Sequence, residues 1–306
     1  MGATMRRTRP SAHRSIRIVL AFGLLLALAL SATTASAAPT TTTVVVTGSD
    51  ISSGDGSAGD TGWFTGDTRA GGDVSLVTGP SPTPLGTGSL HITTTDQVDG
   101  GNNQAKAQLF NYSYVGTPLA DITAMSYSEY RSSDSTSNQG LHVGLNIEVD
   151  FAGDGVSYTS LVFEPIYQSG GIGALESDVW QTWDAYNGGN AKWWSSKPIP
   201  GVCAFDCFVT WNDILANNPN ATIKGGFGFN NGSGWAGVSD ENADALTIGV
   251  NGSTTTYDFE KTPPLLCRVF IWTHQNQECS FTSSNWITNF FRNFSGFGWP
   301  FGAGFR

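Results

Sequence analysis

The chain has 306 residues, with 15 Lys and Arg against 25 Asp and Glu, a formal net charge of −10 and 38 glycines. That acidity argues against partners that present phosphate, whether nucleic acid or an anionic membrane surface. What it leaves open is neutral or cationic chemistry, uncharged glycans and divalent cations included.

Residues 1–37 read as a signal peptide. Arg6, Arg7, Arg9, Arg14 and Arg17 form a cationic head, residues 18–30 an apolar run, and Ala35-Ser36-Ala37 a small-residue cleavage site. The apolar run is too short to span a bilayer, and no later run is longer, so the expectation is a secreted, extracellular protein with no membrane span. Without that head the balance sharpens: between residues 38 and 261 there are 7 basic and 24 acidic residues, a net of −17.

Residues 38–62 are expected to be a flexible entry with a first strand near 42–47, and residues 63–261 the main domain. Further strand candidates recur at 74–78, 89–94, 105–112, 124–131, 141–151, 157–166, 222–228, 245–250 and 254–259, separated by Gly-, Pro- and Asn-rich turns. Many short strands at such spacing predict an all-β fold, a two-sheet jelly-roll-type β-sandwich. One short helix interrupts it: Thr210 as N-cap with Asp213 three residues on, then Trp211, Ile214 and Leu215 on one side. Residues 262–306 form an aromatic tail with neither a helical nor a strand period, expected to be poorly structured.

Four cysteines in an exported chain favour disulfides. Local pairing, Cys203 with Cys207 and Cys267 with Cys279, is the simplest expectation. The four histidines (His13, His91, His142, His274) suggest no zinc set with them.

The sharpest chemical pattern lies in residues 141–168, read as two strands joined by the turn Ala152-Gly153-Asp154-Gly155. Side chains alternate faces along a strand. Leu145, Ile147, Val149 and Phe151 then share a core face with Leu161 and Phe163. Asn146, Glu148 and Asp150 share the other face, joined by Glu164. If Asn146 or a near neighbour lies opposite Glu164, Glu148 stands diagonally from it, roughly 7–8 Å away at the backbone. Two carboxylates so placed could cleave a glycosidic bond, which needs them about 5–9.5 Å apart. A polar sheet face is more often simply solvated, and Pro165 puts Glu164 at a strand end. Asp150 and Asp154 could ligate calcium, although Asp-Gly is also ordinary turn chemistry.

The run WQTWDAYNGGNAKWW, residues 180–194, offers Trp183, Tyr186, Trp193 and Trp194 as flat rings among amides and carboxylates, which suits sugars. The competing reading seals these rings into the core. Adjacent strand residues face opposite ways, so Trp193 and Trp194 cannot both point inward.

At LNIEVDFAGDG…LVFEP, WDAYNGGNAKWW and NPNATIKGGFGFNNGSGW…DALTIG…TYDFE the chain resembles a group of uncharacterised secreted bacterial proteins. The likeness covers about residues 63–260 and implies a jelly-roll sandwich of the lectin and carbohydrate-binding-module type, with no catalytic residues to carry over. Members often end in a short cysteine module, of which Cys267, Trp272, Gln275-Asn276-Gln277 and Cys279 look like a shortened version. The expectation is a monomer that binds polysaccharide or cell-wall glycan without catalysis and without a cofactor, unless calcium takes part. A polysaccharide-degrading enzyme using Glu148 and Glu164 and a structural cell-surface protein are the alternatives.

Overall fold

The computed structural model describes residues 39–96, 104–232 and 234–261 together with Gly2, and among these described residues there are fifteen strands. In chain order they are β1 Thr41–Val46, β2 Ile51–Ser52, β3 Trp63–Phe64, β4 Gly72–Thr78, β5 Gly88–Thr94, β6 Lys106–Asn111, β7 Ile122–Arg131 and β8 Gly144–Asp150. There follow β9 Thr159–Phe163, β10 Trp180–Asp184, β11 Lys192–Ser195, β12 Val209–Thr210, the helix α1 Trp211–Asn217, β13 Thr222–Gly232, β14 Ser239–Val250 and β15 Ser253–Phe259. The segment expected to be a signal peptide, Gly2 apart, and the tail with Cys267 and Cys279 lie outside the described residues.

Two sheets result. The first holds β1, β15, β14, β5 and β4 in that order, with β7 also on β14 and β10 on β7. The second runs β12-β11-β9-β8-β13-β6-β3-β2. Each contains one parallel pair, β1 with β15 and β2 with β3, and is otherwise antiparallel. The all-β two-sheet sandwich expected from the strand spacing is therefore present.

Alternation decides what lies between the sheets. Leu145, Ile147 and Val149 of β8, Leu161 and Phe163 of β9, and Phe227 and Phe229 of β13 are buried and meet Leu90, Ile92, Met125, Tyr127, Leu246 and Phe259 from the other sheet. Tyr127 packs edge-on against both Phe163 and Phe229, with ring centroids 6.1 and 5.6 Å apart. Such edge contacts add to the burial of large apolar area.

Sequence reading missed β10 and β11, whose tryptophans looked like an aromatic platform. They are strands, β10 pairing with β7 and β11 with β9. The helix is as expected. Thr210 Oγ1 accepts from the Asp213 N–H at 3.1 Å, the Asp213 carboxylate accepts from the Thr210 N–H at 3.2 Å, and Trp211 and Ile214 are buried. Cys203 and Cys207 form the expected local disulfide.

Candidate functional site

A groove of about 920 Å³ crosses the outer face of the eight-stranded sheet. Its floor is the polar half of the alternation that fills the core. Asn146 and Glu148 project from β8, Gln108 from β6, Asn230 from β13, and Ser160 and Val162 from β9, with Glu164 just past its end. Trp194 from β11 and the rings of Tyr112, Tyr158, Phe205 and Trp235 line it as well. Gln108 Nε2 donates to Asn230 Oδ1 at 2.9 Å, whereas Asn146 Oδ1 is buried and has no partner among the described residues.

Glu148 reaches its position because β13 gives way. The register of β13 against β8 shifts between Ile223 and Phe227, and a Cβ on Gly225 would collide with the Glu148 carboxylate. Glycine there leaves the space that the carboxylate fills. Glu148 Oε1 accepts from the Tyr158 hydroxyl at 2.9 Å and Oε2 from the Gly226 N–H at 2.7 Å.

Glu164 is held differently. Trp194 Nε1 donates to its Oε2 at 2.7 Å. Burial raises its pKa above the ordinary carboxylate value, and the Trp194 bond opposes that rise only in part. The cause is loss of solvent and not repulsion by a neighbouring carboxylate.

The register corrects the expected carboxylate pair. Glu148 lies opposite Ser160, Asn146 opposite Val162, and Leu145 opposite Phe163. Glu164 therefore falls level with Gly144, four residues along the strand from Glu148, roughly 13 Å of backbone. The two share a face but are not diagonal neighbours, and each is tied to its own aromatic partner. That spacing does not favour the 5–9.5 Å arrangement of a glycosidase pair.

Of the four aromatic candidates only Trp194 enters the groove. Trp193 is fully buried, packs against Phe163 and Trp211 with centroids 5.6 and 5.3 Å apart, and donates its indole N–H to Ala185 O at 3.0 Å. Trp183 belongs to the other sheet and donates to Glu129 Oε1 at 3.0 Å, and Tyr186 packs against the core. Strand pairing explains these placements: β10 was drawn onto β7, away from the groove. Two of the rings overlooked in the sequence were legible. Tyr158 has the parity of Ser160 and Glu164, and Tyr112 that of Gln108. Phe205 and Trp235 sit outside the strands, where alternation says nothing.

Of the two readings of Asp150 and Asp154, the turn is the one their hydrogen bonds support. Asp150 is buried and accepts the N–H groups of Ala152, Gly153 and Gly155, while Asp154 accepts those of Val156 and Ser157 and the Ser157 hydroxyl. These bonds hold the Asp154 carboxyl down at about 2. Carboxylates so ringed by N–H donors are turn formers.

A second cluster of ionisable side chains, buried between the sheets, was not foreseen. Glu129 of β7, Glu241 of β14 and His142 are all buried, with their donor atoms within 4.8 Å of one another. His142 Nδ1 and Glu129 Oε1 are 2.8 Å apart. Glu241 accepts from the Val143 N–H at 2.7 Å and the Ser239 hydroxyl at 2.8 Å, and Arg131 Nε stands 4.0 Å from its Oε1. Burial, reinforced by the charge of Glu129, raises the Glu241 pKa. Burial pulls His142 the other way, but its bond to Glu129 and the two carboxylate charges leave its pKa above the ordinary value. The signal in the sequence was weak, since 112 residues separate Glu129 from Glu241 and only strand pairing joins them.

No protein-family model matches this chain, and neither does any curated protein.

Proposed function

We infer that the chain is a secreted glycan-binding protein that holds a sugar chain in the groove without cleaving it. The observation that carries this reading is Trp194 standing in the groove with its N–H fixed on Glu164. A flat ring beside an anchored acceptor matches a sugar, whose C–H face stacks while its hydroxyls seek oxygen. Tyr158 with Glu148 repeats the arrangement along the floor, and the unpartnered Asn146 Oδ1 adds an acceptor between them. The groove also holds Asp55, Asp67 and Asp206 against Lys106 and Lys224, so neutral or amino sugars fit it better than sulfated or phosphorylated ones. Export by the Arg-rich head and a monomeric state belong to the same reading.

The second reading is a polysaccharide-degrading enzyme. It is favoured by one observation, the burial that raises Glu164, because a general acid needs a carboxyl whose pKa lies above the ordinary value.

A glycan array with and without chelator, followed by product analysis on whatever polysaccharide is retained, tests both. Binding without new reducing ends supports the first reading. Release of product that Glu164→Gln abolishes supports the second, and no retained glycan overturns both.

A further inference from the structure

We propose that Glu129, His142 and Glu241 form a binding site for one divalent transition-metal ion, of the zinc class, between the two sheets. Two carboxylates and one imidazole within 4.8 Å of one another are a donor set of the right kind, since imidazole suits zinc and its neighbours rather than calcium or magnesium. Tetrahedral donors stand about 3.4 Å apart at zinc bond lengths, so the carboxylates need swing only by roughly 1 Å.

An independent observation points to a ligand. Glu129 is fully buried, and its Oε2 has no hydrogen-bond partner among the described residues. A buried carboxylate oxygen left bare is costly, and an ion beside it removes that cost.

The surroundings are those of a supported site. Trp183 Nε1 holds Glu129 Oε1, and the Val143 N–H and Ser239 hydroxyl hold the two oxygens of Glu241. Such outer donors orient metal-binding carboxylates. Among the described residues, Arg131 is the cation paired with this cluster. Its N–H groups donate to Leu141 O and Ser137 O, and it stands 4.0 Å from Glu241. With His142 neutral, Arg131 offsets one carboxylate and leaves one negative charge for the ion. On binding, the ion replaces the proton that lies between His142 Nδ1 and Glu129 Oε1, and that proton leaves to solvent. His142 lines both the groove and a second cavity of about 460 Å³, which gives an ion a way in.

The test uses the full chain stripped with chelator and titrated with Co²⁺ and Zn²⁺. One equivalent of Co²⁺ should bind with visible ligand-field absorption, and Zn²⁺ should raise the melting temperature. Glu129→Gln should abolish both effects, and Trp183→Phe should weaken the metal about tenfold. If the wild type shows neither absorption nor a melting shift, the cluster is a closed ion-pair network and the proposal fails. It fails equally if Glu129→Gln binds as the wild type does. Should that variant not fold, the His142 ring protons of the Co²⁺-loaded wild type decide: paramagnetic displacement supports the site, and unshifted signals overturn it.

Discussion

Trp193 and Trp194 are consecutive residues of one short strand and do opposite jobs. Trp193 lies between Phe163 and Trp211 in the core, and Trp194 turns into the groove against Glu164. Replacing Trp193 with Ala should cost about 3–5 kcal/mol through the cavity it leaves. Replacing Trp194 with Ala should cost less, about 1–2 kcal/mol, most of it from leaving Glu164 without its donor. Urea denaturation of the two variants checks the order. Equal losses would mean that Trp194 is a core residue too.

The same logic separates Glu148 from Val149. Glu148→Gln keeps an acceptor for Tyr158 or Gly226 and should change stability by no more than about 1 kcal/mol. Val149 is buried between the sheets, so Val149→Asp places an unpaired charge there and should unfold the domain. Circular dichroism melts compare them, and a Glu148→Gln variant as damaged as Val149→Asp would invert the assignment of faces.

Much of this was legible in the sequence, because a period of two is a strong constraint. It placed Leu145, Ile147 and Val149 inside and Asn146 and Glu148 outside, and the Thr210–Asp213 cap needed only local spacing. Register was not legible. Nothing in the residues 141–168 hairpin said how many residues the connection between the two strands would take, so Glu164 landed level with Gly144 rather than with Asn146. Nor was the partnership of Glu129 with His142 and Glu241, which depends on β7 pairing with β14 across a long stretch of chain.

A pH effect follows from Asp244. It sits where β14 changes partners, pairing with β5 up to Ala243 and with β15 from Leu246 onward. Its carboxylate takes the N–H groups of Leu85 and Phe259, and burial still raises its pKa to about 7. Glu164 is shifted the same way by burial. A raised folded pKa gives stability that is complete below the unfolded value, about 4, and is lost as pH rises through 7. Asp67 is held low by Arg69 and Lys106, so its contribution is lost instead as pH falls below about 4. Melting temperature, measured with chelator present, should peak near pH 4 to 5 and fall toward pH 8. Asp244→Asn should flatten the alkaline side, and an unchanged slope would remove Asp244 as its source.

The Cys203–Cys207 disulfide closes a loop of a few residues that carries Phe205, whose ring lies 5.4 Å from Trp194. A loop that short contributes only about 2 kcal/mol. Reduction should therefore leave the domain folded while loosening Phe205 beside the groove. Glycan affinity should drop several-fold with a small fall in melting temperature, as titration with and without dithiothreitol would record. Unchanged affinity would exclude Phe205 from the binding surface.

The groove reading stands or falls with Trp194. The most direct measurement is calorimetric titration of the tightest array glycan into the wild type and Trp194→Ala, each checked as folded by its melt. The account predicts roughly 30-fold weaker binding for Trp194→Ala, as for an anchor residue at the centre of an interface. Wild-type affinity in a folded Trp194→Ala protein would contradict it.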